Sequence, residues 1–201
     1  MELFSNLEPQ QTEFIIKDGA YYFDPNFFIP KYSDALLERL TSKILWKQES
    51  MNMFGKRIDF PRLTAWYGDK DKTYAYSGTT YHPTPWIKEL LYIKEQIEPI
   101  AKTKFNSVLL NLYRDGKDSM SWHADDEKEL GRNPIIASVN FGDTRTFQLK
   151  HNETKEKISI DLAHGSLLIM KGEMQHFWKH QVPKTKKEKT NRINLTFRLI
   201  K

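Results

Sequence analysis

The stretch Arg192-Ile193-Asn194-Leu195-Thr196-Phe197-Arg198-Leu199-Ile200 alternates polar and apolar residues almost to its end. An extended chain turns successive side chains to opposite faces. Ile193, Leu195, Phe197 and Leu199 therefore share one face, and Arg192, Asn194, Thr196 and Arg198 the other. The ordinary outcome is a half-buried strand with its polar face in water. The alternative turns that face into a concave site, where two guanidiniums can hold a carboxylate-bearing ligand.

Upstream of this run lie more short ones of the same kind: Phe177 to Val182, Ser166 to Met170, Ile158 to Leu162, Thr144 to Leu149, Ile135 to Phe141 and Val108 to Tyr113. Gly142-Asp143 and His164-Gly165 punctuate them as turns. Many short strands without helices between them predict a sandwich or barrel rather than a parallel sheet. The first half reads differently. Ser33 and Asp34 stand before Leu36, Leu37, Leu40 and Ile44, helical spacing behind an N-cap candidate. Thr84-Pro85 reads as the opening of a second helix carrying Ile87, Leu90, Leu91 and Ile97. Residues 50–81 show no helical period and read as hairpins and loops. Helices come first and a jelly-roll-like pair of sheets second.

Composition narrows the function classes. The 201 residues suit one domain, and the 5 Trp, 9 Tyr and 12 Phe supply bulky core formers, which excludes wholesale disorder. With 0 Cys, disulfide scaffolds, thiol catalysis and Cys-ligated zinc are excluded. No apolar run reaches the ~20 residues that span a bilayer, and the N-terminus lacks the pattern of a secretory signal. The expectation is a soluble, intracellular protein. A net charge of +5 is compatible with a nucleic-acid partner without requiring one.

His123 and Asp125 are two residues apart. In an extended segment both point one way and can ligate one ion, and a third ligand from a distant strand would complete a two-His-one-carboxylate face of the non-haem Fe(II) type, with positions open for a chelating co-substrate and O2. The spacing alone is weak, since His151-Asn152-Glu153 repeats it in a polar turn, as chance allows. The company it keeps strengthens it. His180 shares a strand face with Trp178 and Val182, Arg192 and Arg198 follow, and Asn111 and Tyr113 share a face before His123. Together these suit iron plus a dicarboxylic keto acid. His176 rivals His180 as third ligand, and His180 is preferred. Lys184, Lys186, Lys187 and Lys189 crowd the next loop, either as a solvated stretch or as phosphate contacts.

These residues resemble the AlkB family of Fe(II)/2-oxoglutarate dioxygenases. The resemblance is carried by Asn111-Leu-Tyr-Arg-Asp-Gly-Lys-Asp-Ser-Met-Ser-Trp-His-Ala-Asp-Asp-Glu127, by Pro134 to Gly142, by His164 to Met170, and by the closing R-x-N-x-T-x-R of residues 192–198. It continues upstream in Pro61 to Gly68, Tyr74 to Gly78 and Pro85-Trp86. It spans roughly residues 50–200 and is similar above all to the nucleic-acid-repair members. It implies a mainly β, α+β fold: a double-stranded β-helix (jelly-roll) core over 105–200, N-terminal helices packed on it, and a nucleotide-recognition lid over 50–82, all in one domain, 1–201.

The resemblance further implies that His123, Asp125 and His180 bind Fe(II). Arg192 and Arg198 would bind or orient 2-oxoglutarate, with Asn111, Tyr113 and Asn194 assisting. Tyr76 and the His123 ring would sandwich a damaged base, Glu127 and Tyr74 would face its polar edge, and Arg62 would lie near the lesion. Met53-Phe54-Gly55-Lys56 is similar to a hairpin that drives an aromatic wedge into a duplex, although Phe54 could equally be a core residue. The implied activity is oxidative demethylation of alkylated DNA at 1-methyladenine and 3-methylcytosine, with O2 as oxidant. RNA demethylation, or hydroxylation of a protein or small molecule on the same fold, are the alternatives. The expected partner is alkylated DNA or RNA and no membrane. A monomer is expected, in the cytoplasm or in the nucleus of a eukaryotic host.

Overall fold

The computed structural model describes residues 12–53, 55–71, 74–76 and 79–201, and only the backbone of 12, 53, 74–76 and 79–81. The chain opens with a hairpin of β1 (Thr12–Ile16) and β2 (Gly19–Asp24), followed by helix α1 (Pro30–Lys43). A hairpin of β3 (Ser50–Met53) and β4 (Lys56–Asp59) precedes β5 (Leu63–Gly68). Next come a smaller hairpin of β6 (Tyr74–Tyr76) and β7 (Thr79–Tyr81), the short β8 (Thr84–Pro85) and helix α2 (Lys88–Ala101). From there strands dominate: β9 (Ser107–Tyr113), β10 (Met120–His123), β11 (Ile136–Gly142), β12 (Arg145–His151), β13 (Lys157–Leu162) and β14 (Leu167–Lys171). The one-turn α3 (Met174–Phe177) leads into β15 (Trp178–Val182), and β16 (Arg192–Arg198) closes the chain.

Two sheets form a jelly roll. The larger runs β1-β2-β14-β11-β16-β9-β5-β8 and the smaller β10-β15-β12-β13. Neighbours are antiparallel except β5 and β8, which are parallel. Gly142 turns the chain from β11 at φ +92°, where an added Cβ would fall 2.3 Å from the Asn191 carbonyl oxygen, so a residue without a side chain is required.

The larger sheet is buried on both faces. Ile193, Leu195 and Phe197 of β16, with Val108 and Leu110 of β9 and Val139 of β11, pack against Leu36 and Leu40 of α1 and Leu90, Ile93 and Ile97 of α2. The opposite face meets the smaller sheet through Leu168 and Met170 against Phe147, Leu149, Leu162 and Val182. Each such side chain fully buried contributes roughly 1.5–3 kcal/mol of transfer free energy.

The structure revises several local expectations. Ser33 is not the cap of α1: Ile29 holds that position and Pro30 begins the helix. Ser33 lies inside, fully buried, with its hydroxyl donating to the Phe28 carbonyl at 3.0 Å. Apolar periodicity was the same on either reading, so the pattern could not locate the start. Thr84-Pro85 does not open α2 but pairs with Tyr67 and Gly68 as an edge strand, where a missing N–H costs nothing. Leu199 does not join Ile193 in the core: β16 ends at Arg198, Leu199 is 38% exposed, and Ile200 is buried in the second cluster instead. Residues 12–24, outside the resemblance, extend the larger sheet by pairing β2 with β14. Among the described residues no helix is long and apolar enough to cross a membrane.

Candidate metal centre and its pocket

His123 ends β10 and His180 sits in β15, and the two strands pair so that these residues lie directly opposite. Their rings stand 4.1 Å apart between centroids, at 66°. Asp125 follows after the strand has ended, in the irregular stretch 124–127. One ligand atom from each of His123, Asp125 and His180 lies within 4.8 Å of the others.

The surroundings prepare each donor. The His123 Nδ1 lies 2.8 Å from the Ser121 carbonyl oxygen. A carbonyl can only accept, so Nδ1 carries the proton and Nε2 presents its lone pair. His180 is buried and stacks on Phe147 at 5.2 Å. Burial pushes its imidazolium down to about 3, against a weaker opposing pull from Asp125, so the ring is neutral and a lone-pair donor at neutral pH. Burial alone would push the Asp125 carboxyl up, but the Arg198 guanidinium beside it, with the two histidines, holds it below the ordinary carboxylate range. Arg198 Nη2 donates to Asp125 Oδ1 at 2.6 Å, and Gln175 Oε1 accepts from the Asp125 N–H at 2.9 Å. Two neutral imidazoles and one ionised carboxylate form a donor set suited to a divalent transition metal.

The polar face of β16 turns inward. Arg192, Asn194, Thr196 and Arg198 line a cavity of about 150 Å³ together with Asn111, Tyr113, Ser138, His123, Asp125, His180, Arg62 and Glu127. Arg192 is 1% exposed. Its Nη2 donates to Asn140 Oδ1 at 2.6 Å, and its guanidinium lies 5.0 Å from the centre of the Tyr113 ring. Burial pushes its pKa down to about 10, a fall that Tyr113 moderates. It therefore keeps its charge at neutral pH, while Nε and Nη1 find no hydrogen-bond acceptor among the described residues. A buried cation with two unmet donors at a cavity wall fits a carboxylate.

A line of amides supports Arg192. Three neighbouring strands set Asn140, Asn194 and Asn111 in one row of the sheet. Asn194 Nδ2 donates to Asn140 Oδ1 at 3.1 Å and to Ser138 Oγ at 2.8 Å, and Asn111 Nδ2 lies 3.5 Å from Asn194 Oδ1. Arg62 Nε donates to Asn111 Oδ1 at 2.8 Å, and Arg62 Nη1 reaches the Ser119 carbonyl at 3.3 Å. Glu127 is on the cavity wall, and its buried Oε2 has no partner among the described residues.

The structure thus brings together His123, Asp125, His180, Asn111, Tyr113, Arg192, Asn194, Arg198, Arg62 and Glu127. Both arginines expected at one ligand line the cavity: Arg192 keeps open donors there, and Arg198 also grips Asp125. The rival His176 lies in α3, not on the face of β15, with Nε2 at 2.9 Å from Asn133 Oδ1. His151 is a core residue, with Nε2 at 3.0 Å from Asp18 Oδ2. Phe54 lies outside the described residues, as do the side chains of Tyr74 and Tyr76, whose backbone forms β6. Three contributors escaped the sequence reading. Ser138 and Asn140 left a trace, as polar residues alternating through an otherwise apolar β11. Gln175 left none, because its partner is 50 residues away.

Comparisons with known proteins converge. A profile of the 2OG-Fe(II) oxygenase superfamily matches residues 19–198. The alpha-ketoglutarate-dependent dioxygenase alkB homolog 3 of Bos taurus is 44% identical over 186 residues, covering 88% of this chain and 64% of that protein. The DNA oxidative demethylase ALKBH2 of Homo sapiens is 41% identical over 158 residues, covering 75% of this chain and 60% of that protein. The chain therefore spans less than two thirds of either relative. The solved structure of OsALKBH1 superposes with a TM-score of 0.64 at 18% identity, covering 92% of this chain and 100% of that one, which marks a shared fold.

Proposed function

The chain belongs to the 2OG-Fe(II) oxygenase superfamily, in its AlkB family, and from that premise we propose that it is an oxidative demethylase of alkylated nucleic acid, acting on 1-methyladenine and 3-methylcytosine in DNA. The observation that carries this reading is one cavity holding the His123-Asp125-His180 donor set, the unmet donors of Arg192 and the unmet acceptor of Glu127. These are three different chemical demands, and they match a metal, a carboxylate-bearing co-substrate and a cationic base. The name of one relative, a DNA oxidative demethylase, supports the same substrate class, and that of the other, an alpha-ketoglutarate-dependent dioxygenase, supports the chemistry.

Iron(II) with 2-oxoglutarate and O2, when bound, supplies oxidation of a methyl group, which leaves as formaldehyde while the co-substrate becomes succinate and CO2. The protein's part is positioning. His123, Asp125 and His180 would hold the metal, with His123 kept in the ligating tautomer by Ser121. Arg192 would grip the far carboxylate of 2-oxoglutarate, held in place by Asn140 and Tyr113, with Asn111 and Asn194 beside it. Glu127 would face the polar edge of the substrate, where its charge favours a base made cationic by methylation. Such a base pairs badly, so extruding it from the helix costs less than extruding a normal one. The expected lid over 50–82 is interrupted by β5, which is held in the larger sheet, so Tyr74, Tyr76 and the hairpins on either side of β5 would cover the base, Arg62 would border it, and Phe54 would fill the gap left in a duplex. Lys184, Lys186 and Lys187 would add salt-dependent phosphate contacts, whereas Lys189, expected with them, is held by Asp143 at 2.9 Å. We assign these roles to a single domain working as a monomer in the compartment that holds the nucleic acid.

The test is release of formaldehyde and succinate from oligonucleotides carrying either lesion as single-stranded DNA, duplex DNA or RNA, with Fe(II), 2-oxoglutarate, ascorbate and air. Lesion-dependent turnover that disappears in His123→Ala is the expected result. Succinate formation without lesion loss on any oligonucleotide would overturn the substrate while leaving the oxygenase.

A further inference from the structure

Of the three candidate ligands, Asp125 has the least support from its own chain. His123 and His180 are gripped by the ladder between β10 and β15, but residues 124–127 belong to no helix or strand. The direction of the Asp125 side chain follows from the orientation of its peptide. A side chain from a distant segment holds that peptide: the Asp125 N–H donates to Gln175 Oε1 at 2.9 Å.

We propose that Gln175 is a positioning residue for the metal centre, setting Asp125 through its backbone N–H. The proposal rests on the metal-binding reading of His123, Asp125 and His180. Gln175 is 3% exposed, so its amide must find partners within the protein. Its oxygen must face the N–H, because only the oxygen accepts. Its Nε2 then points to Met170 Sδ at 3.7 Å, and Met170 lines the same cavity.

The base of Gln175 is equally constrained. It sits in α3, immediately before the strand that carries His180. The neighbouring Met174, 1% exposed, packs so closely on Gly19 that a Cβ there would fall 2.3 Å from Met174 Cγ. Gln175 therefore joins the loop of one ligand to the segment that delivers another. A rigid outer partner of this kind orients a ligand without touching the metal.

The experiment uses the full chain and Mn(II), an air-stable divalent probe, titrated by the loss of its free-ion resonance signal. Gln175→Met keeps the length of the side chain and removes the acceptor. Gln175→Glu keeps an acceptor at the same reach. Thermal unfolding of each metal-free protein and amide exchange at Asp125 are measured alongside. The expected result is Mn(II) binding weakened about 10–100-fold in Gln175→Met, faster exchange at Asp125, a cooperative unfolding transition, and recovery of most of the affinity in Gln175→Glu. Mn(II) affinity in Gln175→Met within twofold of the unmodified chain would overturn the positioning role alone. Equal losses in both variants would overturn it in favour of simple packing. An unmodified chain that binds Mn(II) no better than His180→Ala would overturn the metal reading beneath it.

Discussion

The two faces of β16 are chemically opposite, and both are buried over the first half of the strand. Ile193, Leu195 and Phe197 are 0% exposed against α1 and α2, and Arg192 and Asn194 on the other face are 1% and 8% exposed. The apolar face stabilises the fold by removing surface from water. The polar face does the reverse: it buries a guanidinium whose donors the protein does not fully meet, at a cost in stability. One strand therefore shows that burial alone does not distinguish core from site. Unmet charged donors at a cavity wall mark the site on this strand.

This contrast can be broken by substitution, and the largest effect belongs to the polar face. Asp125→Ala removes a candidate metal ligand and is expected to lower turnover by roughly 10³-fold or more, at 1.36 kcal/mol of barrier per decade. Its unfolding temperature should fall as well, because Arg198 loses its partner, and calorimetry reads that loss separately from turnover. On the apolar face, Phe197→Ala is expected to cost about 3–5 kcal/mol of stability, because Phe197 packs on Phe105 and Trp86. Denaturant titration reads that loss. The folded fraction should still bind Mn(II).

Arg192→Met sharpens the comparison, since it converts a site position into a core-like one. The KM for 2-oxoglutarate should rise roughly 30-fold or more, equivalent to about 2 kcal/mol of lost carboxylate binding. The ligand-free protein should be as stable as the unmodified chain or more so, because an incompletely satisfied buried charge is gone. A loss of stability comparable with that of Phe197→Ala would contradict the distinction between the faces.

The smallest effect tests a charged anchor on the helical side. Glu89 of α2 is buried and accepts from Lys43 of α1 at 2.6 Å. Burial pushes its carboxyl up, but Lys43, its own backbone N–H and Lys88 together outweigh that, and the net value lies below the ordinary 4.5. A depressed carboxylate contributes stability that is complete above its unfolded value and is lost as pH falls through the folded one. Glu89→Gln should therefore cost about 1 kcal/mol at neutral pH, given the half-exposed lysine. It should also flatten the decline in stability below pH 4.5. An unchanged acid limb in urea titrations would remove Glu89 from that role.

Much of the site was legible because its residues lie on strands. Parity along β16, β15 and β9 put Arg192, Asn194, Arg198, His180, Asn111 and Tyr113 on the correct faces. Element boundaries were less legible. Ser33 has the chemistry of a cap and stands near the right place, yet Pro30 starts the helix. Thr84-Pro85 satisfied a helix-start rule and became an edge strand.

By itself, the sequence determined the alternation of the strands, the absence of cysteine chemistry and the grouping of His123, Asp125 and His180 with two arginines. The alternation and the placing of His180 and the arginines follow from residue type and a period of two, whereas Asp125, which lies beyond the end of β10, was grouped by its spacing from His123 alone. Only the tertiary structure decided which arginine keeps open donors, that His176 belongs to a surface turn, and that Gln175 holds Asp125. The arginine and glutamine outcomes depend on contacts across 50 or more residues, such as Gln175 with Asp125 and Arg198 with Asp125. A local pattern can assign a side chain to a face, but hydrogen-bond satisfaction in a buried site is settled only when distant faces meet.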